Sequence, residues 1–223
     1  MNNIESLNEK SASGSGSIST ESVKVLKNKY ALLSMTLGFS ALTAWFNFAN
    51  NMGSPNIFVT LIGFYGLLFA IHKFKNSGFG LFLTFALTGF MGYTVGPIIS
   101  SYVSAGMGST VVTAFGLTAA IFVGLSAYTL TTKKDFSFLS SFMMAGVIVL
   151  IGAMVINIFT NIPGMSLAIS AGFALFSSVM IAYQTSAIIH GGERNYVIAT
   201  ISLFVSIYNL FLSLLHLLGA TQD

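Results

Sequence analysis

The chain has 223 residues, of which 54% are hydrophobic and only 7% charged, with nine basic and six acidic side chains and a formal net charge of +3. A soluble domain carries about 25% charge, and in water so apolar a surface would expose large hydrophobic patches; a soluble monomer and a disordered chain are both excluded. The absence of cysteine excludes a disulfide scaffold, thiolate catalysis and any thiolate-ligated metal centre, which leaves one compact integral membrane domain.

Residues 1–29 stand apart in composition. The stretch Ser11–Ser17 alternates serine with alanine and glycine, a flexible low-complexity pattern. The first apolar run begins late and follows an acidic leader, which speaks against a cleaved signal peptide. Residues 1–29 therefore read as a flexible cytoplasmic tail. Within it, residues 21–30 are expected to form a short basic helix at the lipid surface. The tail offers a handle for a cytoplasmic partner.

The spans follow from the gaps between charges. Residues 30–72, 76–132, 136–192 and 195–222 contain no Asp, Glu, Lys or Arg. A membrane helix needs about 20 apolar residues, so the first three gaps each hold two helices and the last holds one. Turn residues split the gaps at Asn50–Asn56, Ser104–Ser109 and Asn161–Gly164. Helices are predicted at 30–49, 56–73, 79–100, 108–131, 136–160, 165–189 and 196–219. The transmembrane domain is thus 30–219, with a short end at 220–223. A β-barrel is excluded, because its strands would alternate polar and apolar residues.

With seven spans, every lysine and the one arginine fall at the same end of the bundle. The positive-inside rule makes that end cytoplasmic and puts the carboxyl terminus in the periplasm. On this reading no charged residue lies within a span, so proton relays and charged ion paths lose their usual carriers. No cofactor or metal is expected. Helices 6 and 7 carry no lysine for a Schiff base, no paired carboxylates serve an aspartyl protease, and His72, His190 and His216 are too scattered to hold a metal. Gly-x-Ser at Gly124–Ser126, with His216, is a weak match to an intramembrane serine protease. No nucleic-acid partner is expected.

The polar residues within spans are uncharged: Tyr93, Asn157, Gln184 and Asn209. Their default role is to bond between helices. Gly89 and Gly92, and Gly146 and Gly152, suit close helix contacts. Gly96 and Pro97 form a candidate hinge, since proline removes a backbone donor. The run His190, Gly191, Gly192, Glu193 and Arg194 joins helices 6 and 7 as a candidate cytoplasmic contact or gate.

Several runs together carry a resemblance: Gly92–Ile98 (GYTVGPI), Ser104–Gly108, Leu130–Leu139, His190–Tyr196 and Tyr208–Phe211. Over about residues 24–219 the chain resembles the Bax inhibitor-1 family, in its bacterial branch of modulators of the membrane protease FtsH. The resemblance implies a seven-helix bundle with helix 7 central and six helices around it. It further implies a non-enzymatic regulator in the inner membrane that binds FtsH, with HflK and HflC as companions, and restrains degradation of membrane substrates. The alternative it implies is a pH-sensitive calcium leak, which in other members uses an aspartate pair on helices 6 and 7. Those two positions are Gln184 and Ser206 here. Both are neutral, at depths that allow a hydrogen bond between them, and neither titrates near neutral pH.

Overall fold

The computed structural model describes residues 20–160, 162 and 164–221, the side chain of Glu21 excepted. Among these residues there are seven helices: α1 (Thr20–Asn50), α2 (Ile57–Phe74), α3 (Gly78–Ser104), α4 (Gly108–Thr132), α5 (Leu139–Thr160), α6 (Met165–Ile189) and α7 (Tyr196–Gly219). All seven are long and apolar enough to cross a membrane. Six of them start and stop within a few residues of the predicted limits. The serine-rich stretch of the tail, and Asn161 and Pro163 of the third turn, lie outside the described residues.

Polar side chains set the helix ends. Asn56 caps α2 by accepting the Phe58 amide at 2.9 Å. Asn195 caps α7 by accepting the amides of Val197 and Ile198 at 3.0 and 3.2 Å. Threonines and serines inside the helices turn their hydroxyls back onto the preceding turn, as Thr84 does to the Gly80 carbonyl at 2.8 Å. Such back-bonding satisfies them where no water reaches.

The most buried element is α7, which packs against α1, α3, α4 and α6. Of its most apolar stretch 56% is buried, against 6% in α2 and in α5. These two are outer helices, α2 resting on α3 and α5 on α6. Their free faces are bare hydrocarbon, with Phe69 75% and Phe159 81% exposed, as a lipid-facing surface requires. The main core joins Leu33 of α1, Ile71 of α2, Leu87 of α3, Ile181 of α6, and Leu203 and Phe204 of α7. A second, smaller core of Val25, Leu26, Ile188, Ile189 and Ala199 closes one end.

Helices α1 and α3 meet along a glycine seam. A Cβ at Gly89 would strike the Phe39 ring at 2.5 Å, and one at Gly96 would strike Asn47 at 2.7 Å and the Ala44 carbonyl at 2.8 Å. At Gly92 it would strike the Ser40 carbonyl. These three positions share one face of α3 and let the two backbones approach, as small residues do in membranes. Gly146 likewise meets Phe176 between α5 and α6, whereas Gly152 faces open space. Pro97 does not end α3, which runs on to Ser104.

The sequence reading errs at α1. The helix begins at Thr20, ten residues before the predicted start. Residues 21–30 are the first turns of α1 and not a separate surface helix. They dock Val25 and Leu26 against α6 and α7. One consequence overturns the expectation of charge-free spans. Lys24 and Lys27 stay exposed, but Lys29 is fully buried within the bundle. A lysine looks like a boundary in a charge count, yet here neighbouring helices cover it.

Candidate functional site at the basic end

Among the described residues four segments carry the basic side chains, and hydrogen bonds place these segments at one end of the bundle. Thr200 of α7 donates to the Lys29 carbonyl of α1 at 3.3 Å. Asn195 donates to the Lys75 carbonyl at 3.2 Å and to Asn76 Oδ1 at 2.7 Å, tying the α6–α7 connection to the α2–α3 connection. Ser186 donates through Oγ to the Lys134 carbonyl at 3.0 Å and accepts from the Phe136 amide at 3.0 Å, tying α6 to the α4–α5 connection. The connections are thereby knit into one polar cap.

The segment His190–Arg194 lies within this cap. Gly191 adopts a φ of +76°, which lets the chain reverse as α6 ends. The amides of Gly192 and Glu193 then return to the Ala187 carbonyl at 2.7 and 3.2 Å. Glu193 accepts the Asn195 amide at 2.7 Å. His190 donates from Nδ1 to the Ser186 carbonyl at 3.0 Å. Arg194 is exposed. In the neighbouring connection the Asp135 carboxyl accepts the Ser137 amide at 2.8 Å. Its pKa is held below the ordinary value, first by the Ser137 backbone amide, then by the Ser137 side chain, with a smaller contribution from His190. Sequence reasoning took in the run His190–Tyr196, Asn195 with it, without giving Asn195 its role as a cap ahead of an apolar run; it missed Ser186, which gave no local signal.

Below the cap, α6 and α7 are latched to each other. Gln184 Nε2 donates to Ser206 Oγ at 3.2 Å, and Ser206 donates to the Ser202 carbonyl at 3.0 Å. The Gln184 carbonyl oxygen is buried with no partner. Both residues line a crevice of about 280 Å³ between α2, α6 and α7, together with Phe64, Ser177, Ser202 and Asn209. An amide and a hydroxyl keep this latch neutral across the physiological pH range, and they offer a divalent cation none of the carboxylate charge it prefers.

Other sequence candidates are separated. Ser126 lies near the basic end of α4 and His216 near the opposite end of α7; at 1.5 Å rise per residue roughly 20 Å of depth divides them. The protease pairing is therefore geometrically closed. His216 instead pairs with Ser170, Nδ1 to Oγ 2.7 Å. His72 sits exposed on α2, with Nδ1 3.0 Å from the Leu68 carbonyl. Tyr208 bonds Thr94 across α7 and α3 at 3.0 Å.

The family model described as the inhibitor of apoptosis-promoting Bax1 matches residues 22–223. The chain belongs to the Bax inhibitor-1 family. An uncharacterized protein of Pseudomonas aeruginosa is 61% identical over 196 residues, covering 87% of this chain and 88% of that one. The modulator of FtsH protease YccA of Escherichia coli strain K12 is 53% identical over 201 residues, 90% of this chain and 92% of its own. A second Escherichia coli relative, with the same identity and coverage, is named inner membrane protein YccA. This Bax inhibitor-1 family member is a multi-pass protein of the inner membrane.

Proposed function

We propose that this protein is a non-enzymatic regulator that binds the FtsH protease in the inner membrane and restrains its degradation of membrane proteins. The observation that carries this reading is the 53% identity, over 90% of the chain, to a modulator of FtsH protease. Two features of the molecule support it. The polar cap gathers the connections of the basic end into one hydrogen-bonded surface suited to contacting a partner outside the bilayer. The bare faces of α2 and α5 are free for contact with a partner's membrane helices. The positive-inside rule makes the basic end cytoplasmic, with the carboxyl terminus periplasmic. HflK and HflC enter as companions of the protease.

The second reading, a pH-gated calcium leak, draws on the crevice between α2, α6 and α7. The neutrality of Gln184 and Ser206 weighs against it. The two readings part in one experiment. Gentle solubilisation and pull-down recovers FtsH, and overproduction of the chain slows breakdown of an FtsH membrane substrate. Failure to recover the protease, together with pH-dependent calcium flux in proteoliposomes, would replace the regulator by the leak. The tail is a further part of the proposal: as a handle for the protease it makes the protein a slow, competing substrate. Deletion should stop at residue 19, because α1 begins at Thr20. Unchanged turnover of the shortened chain would remove the handle from the account.

A further inference from the structure

Lys29 is the one charged residue among the largest fully buried side chains of the described residues, and its Nζ has no hydrogen-bond partner. It touches the face of the Tyr30 ring, 4.1 Å from the centroid. Three hydroxyls are also buried without a partner near its level: Tyr30 OH of α1, Ser126 Oγ of α4 and Thr185 Oγ1 of α6.

Their level follows from the packing. Lys29 lies on α1 between Leu26 of the small core and Leu32 and Leu33 of the main core. Thr185 lies on α6 between Ile188 of the small core and Ile181 of the main one. Ser126 lies on α4 between Leu130, which packs on the small core, and Phe122, which packs on the main one. Tyr30 packs on both cores, and its ring is 6.3 Å from that of Phe122. Each helix thus places a polar group in the one layer that separates two apolar cores. α7 adds Thr200 between Ala199 and Ile201, already engaged with the Lys29 and Tyr196 carbonyls.

The chemistry of this layer is one-sided. Among the described side chains it holds one ammonium and several hydroxyls, and no carboxylate. Asp135 and Glu193, the carboxylates with described side chains in the basic-end connections, accept amides of their own segments. An ammonium taken out of water costs several kcal/mol unless a counter-charge and hydrogen bonds compensate it, and an intramembrane charge ordinarily marks a functional site. Hydroxyls donate to an anion as readily as they accept from a cation. We propose that the layer is a binding site for a small monovalent anion of the halide class, with Lys29 as counter-charge and Tyr30, Ser126 and Thr185 as hydroxyl donors.

The test uses the full chain in nanodiscs, with sodium chloride replacing sodium gluconate at fixed ionic strength. Chloride at ten times its Kd favours the folded state by about elevenfold, read as a saturable rise in the thermal midpoint. Lys29→Met should abolish that rise, and Ser126→Ala with Thr185→Val should shift its midpoint to several-fold higher chloride. Chloride-35 line broadening on the wild type, reversed by bromide, reads the site without a variant. A wild-type midpoint indifferent to chloride, broadening no greater than that of empty nanodiscs, or a Lys29→Met protein that keeps the wild-type chloride response would overturn the site and leave water as the layer's only guest.

Discussion

Gly92→Ala tests the α1–α3 seam most sharply. The added methyl meets the Ser40 carbonyl oxygen and Thr43 Oγ1 well inside contact distance, and Ser40 Oγ at 2.7 Å. The carbonyl is helix backbone and has nowhere to go. The Thr43 hydroxyl donates to that same carbonyl at 2.9 Å, so it swings away only by giving up its bond. Relief requires α1 to lift from α3, which loosens the contacts at Gly89 and Gly96 as well. Forcing a methyl into a packed interior costs about 1–3 kcal/mol. The better helix propensity of alanine returns at most about 1 kcal/mol in water, and less in a bilayer, where the dissociated helices are already helical. The net expectation is a loss of about 1–2 kcal/mol, or a five- to thirtyfold fall in the folded ratio. Gly124→Ala is the control, because nothing lies within 4 Å of its new methyl and its effect should stay within about 0.5 kcal/mol. Trp45, the single tryptophan, lies on α1 and reports its detachment during SDS titration in mixed micelles. Indistinguishable unfolding midpoints for the two variants would refute the reasoning.

Other expectations concern the cap and the latch. Ser186→Ala removes the acceptor of the Phe136 amide and the donor to the Lys134 carbonyl. It should cost about 1–3 kcal/mol locally, seen as faster hydrogen exchange in residues 134–138 with α7 unaffected. The Asp135 carboxyl has a folded pKa below its ordinary 3.8. Its contribution is therefore present above that value and lost as pH falls through the folded pKa. Protection of the Ser137 amide should drop only on the acid side, and Asp135→Asn should abolish that pH dependence. Installing an acidic pair with Gln184→Asp and Ser206→Asp should give the latch a titration that the wild type lacks. The measure is pH-dependent calcium flux in proteoliposomes, with wild type flat between about pH 5 and 8, the window of histidine titration.

The fold was largely legible because hydropathy and charge spacing are imposed by the bilayer itself. Gaps in charge counted the spans, and turn residues divided them. The pairing of Gln184 with Ser206 came from the family resemblance, with helix rise giving them similar depths, and the structure joins them at 3.2 Å. What could not be read was anything decided by a partner far along the chain. Ser186 bonds residues about fifty positions away, and nothing in its local sequence distinguishes it from other serines. Lys29 misled for a related reason. A charge marks the end of a span only if water reaches it, and this one is fully buried.

The place of α7 also bears on how the chain is made. Translation delivers the amino-terminal helices first. The helix around which α1, α3, α4 and α6 gather follows all of them in chain order. Until it arrives, α1, α4 and α6 present the buried faces of Lys29, Ser126 and Thr185 to lipid or to one another. The newborn bundle is thus an unfinished ring, and a chain that stalls before Tyr196 shows the surveillance machinery of the membrane the polar surface that the finished protein hides.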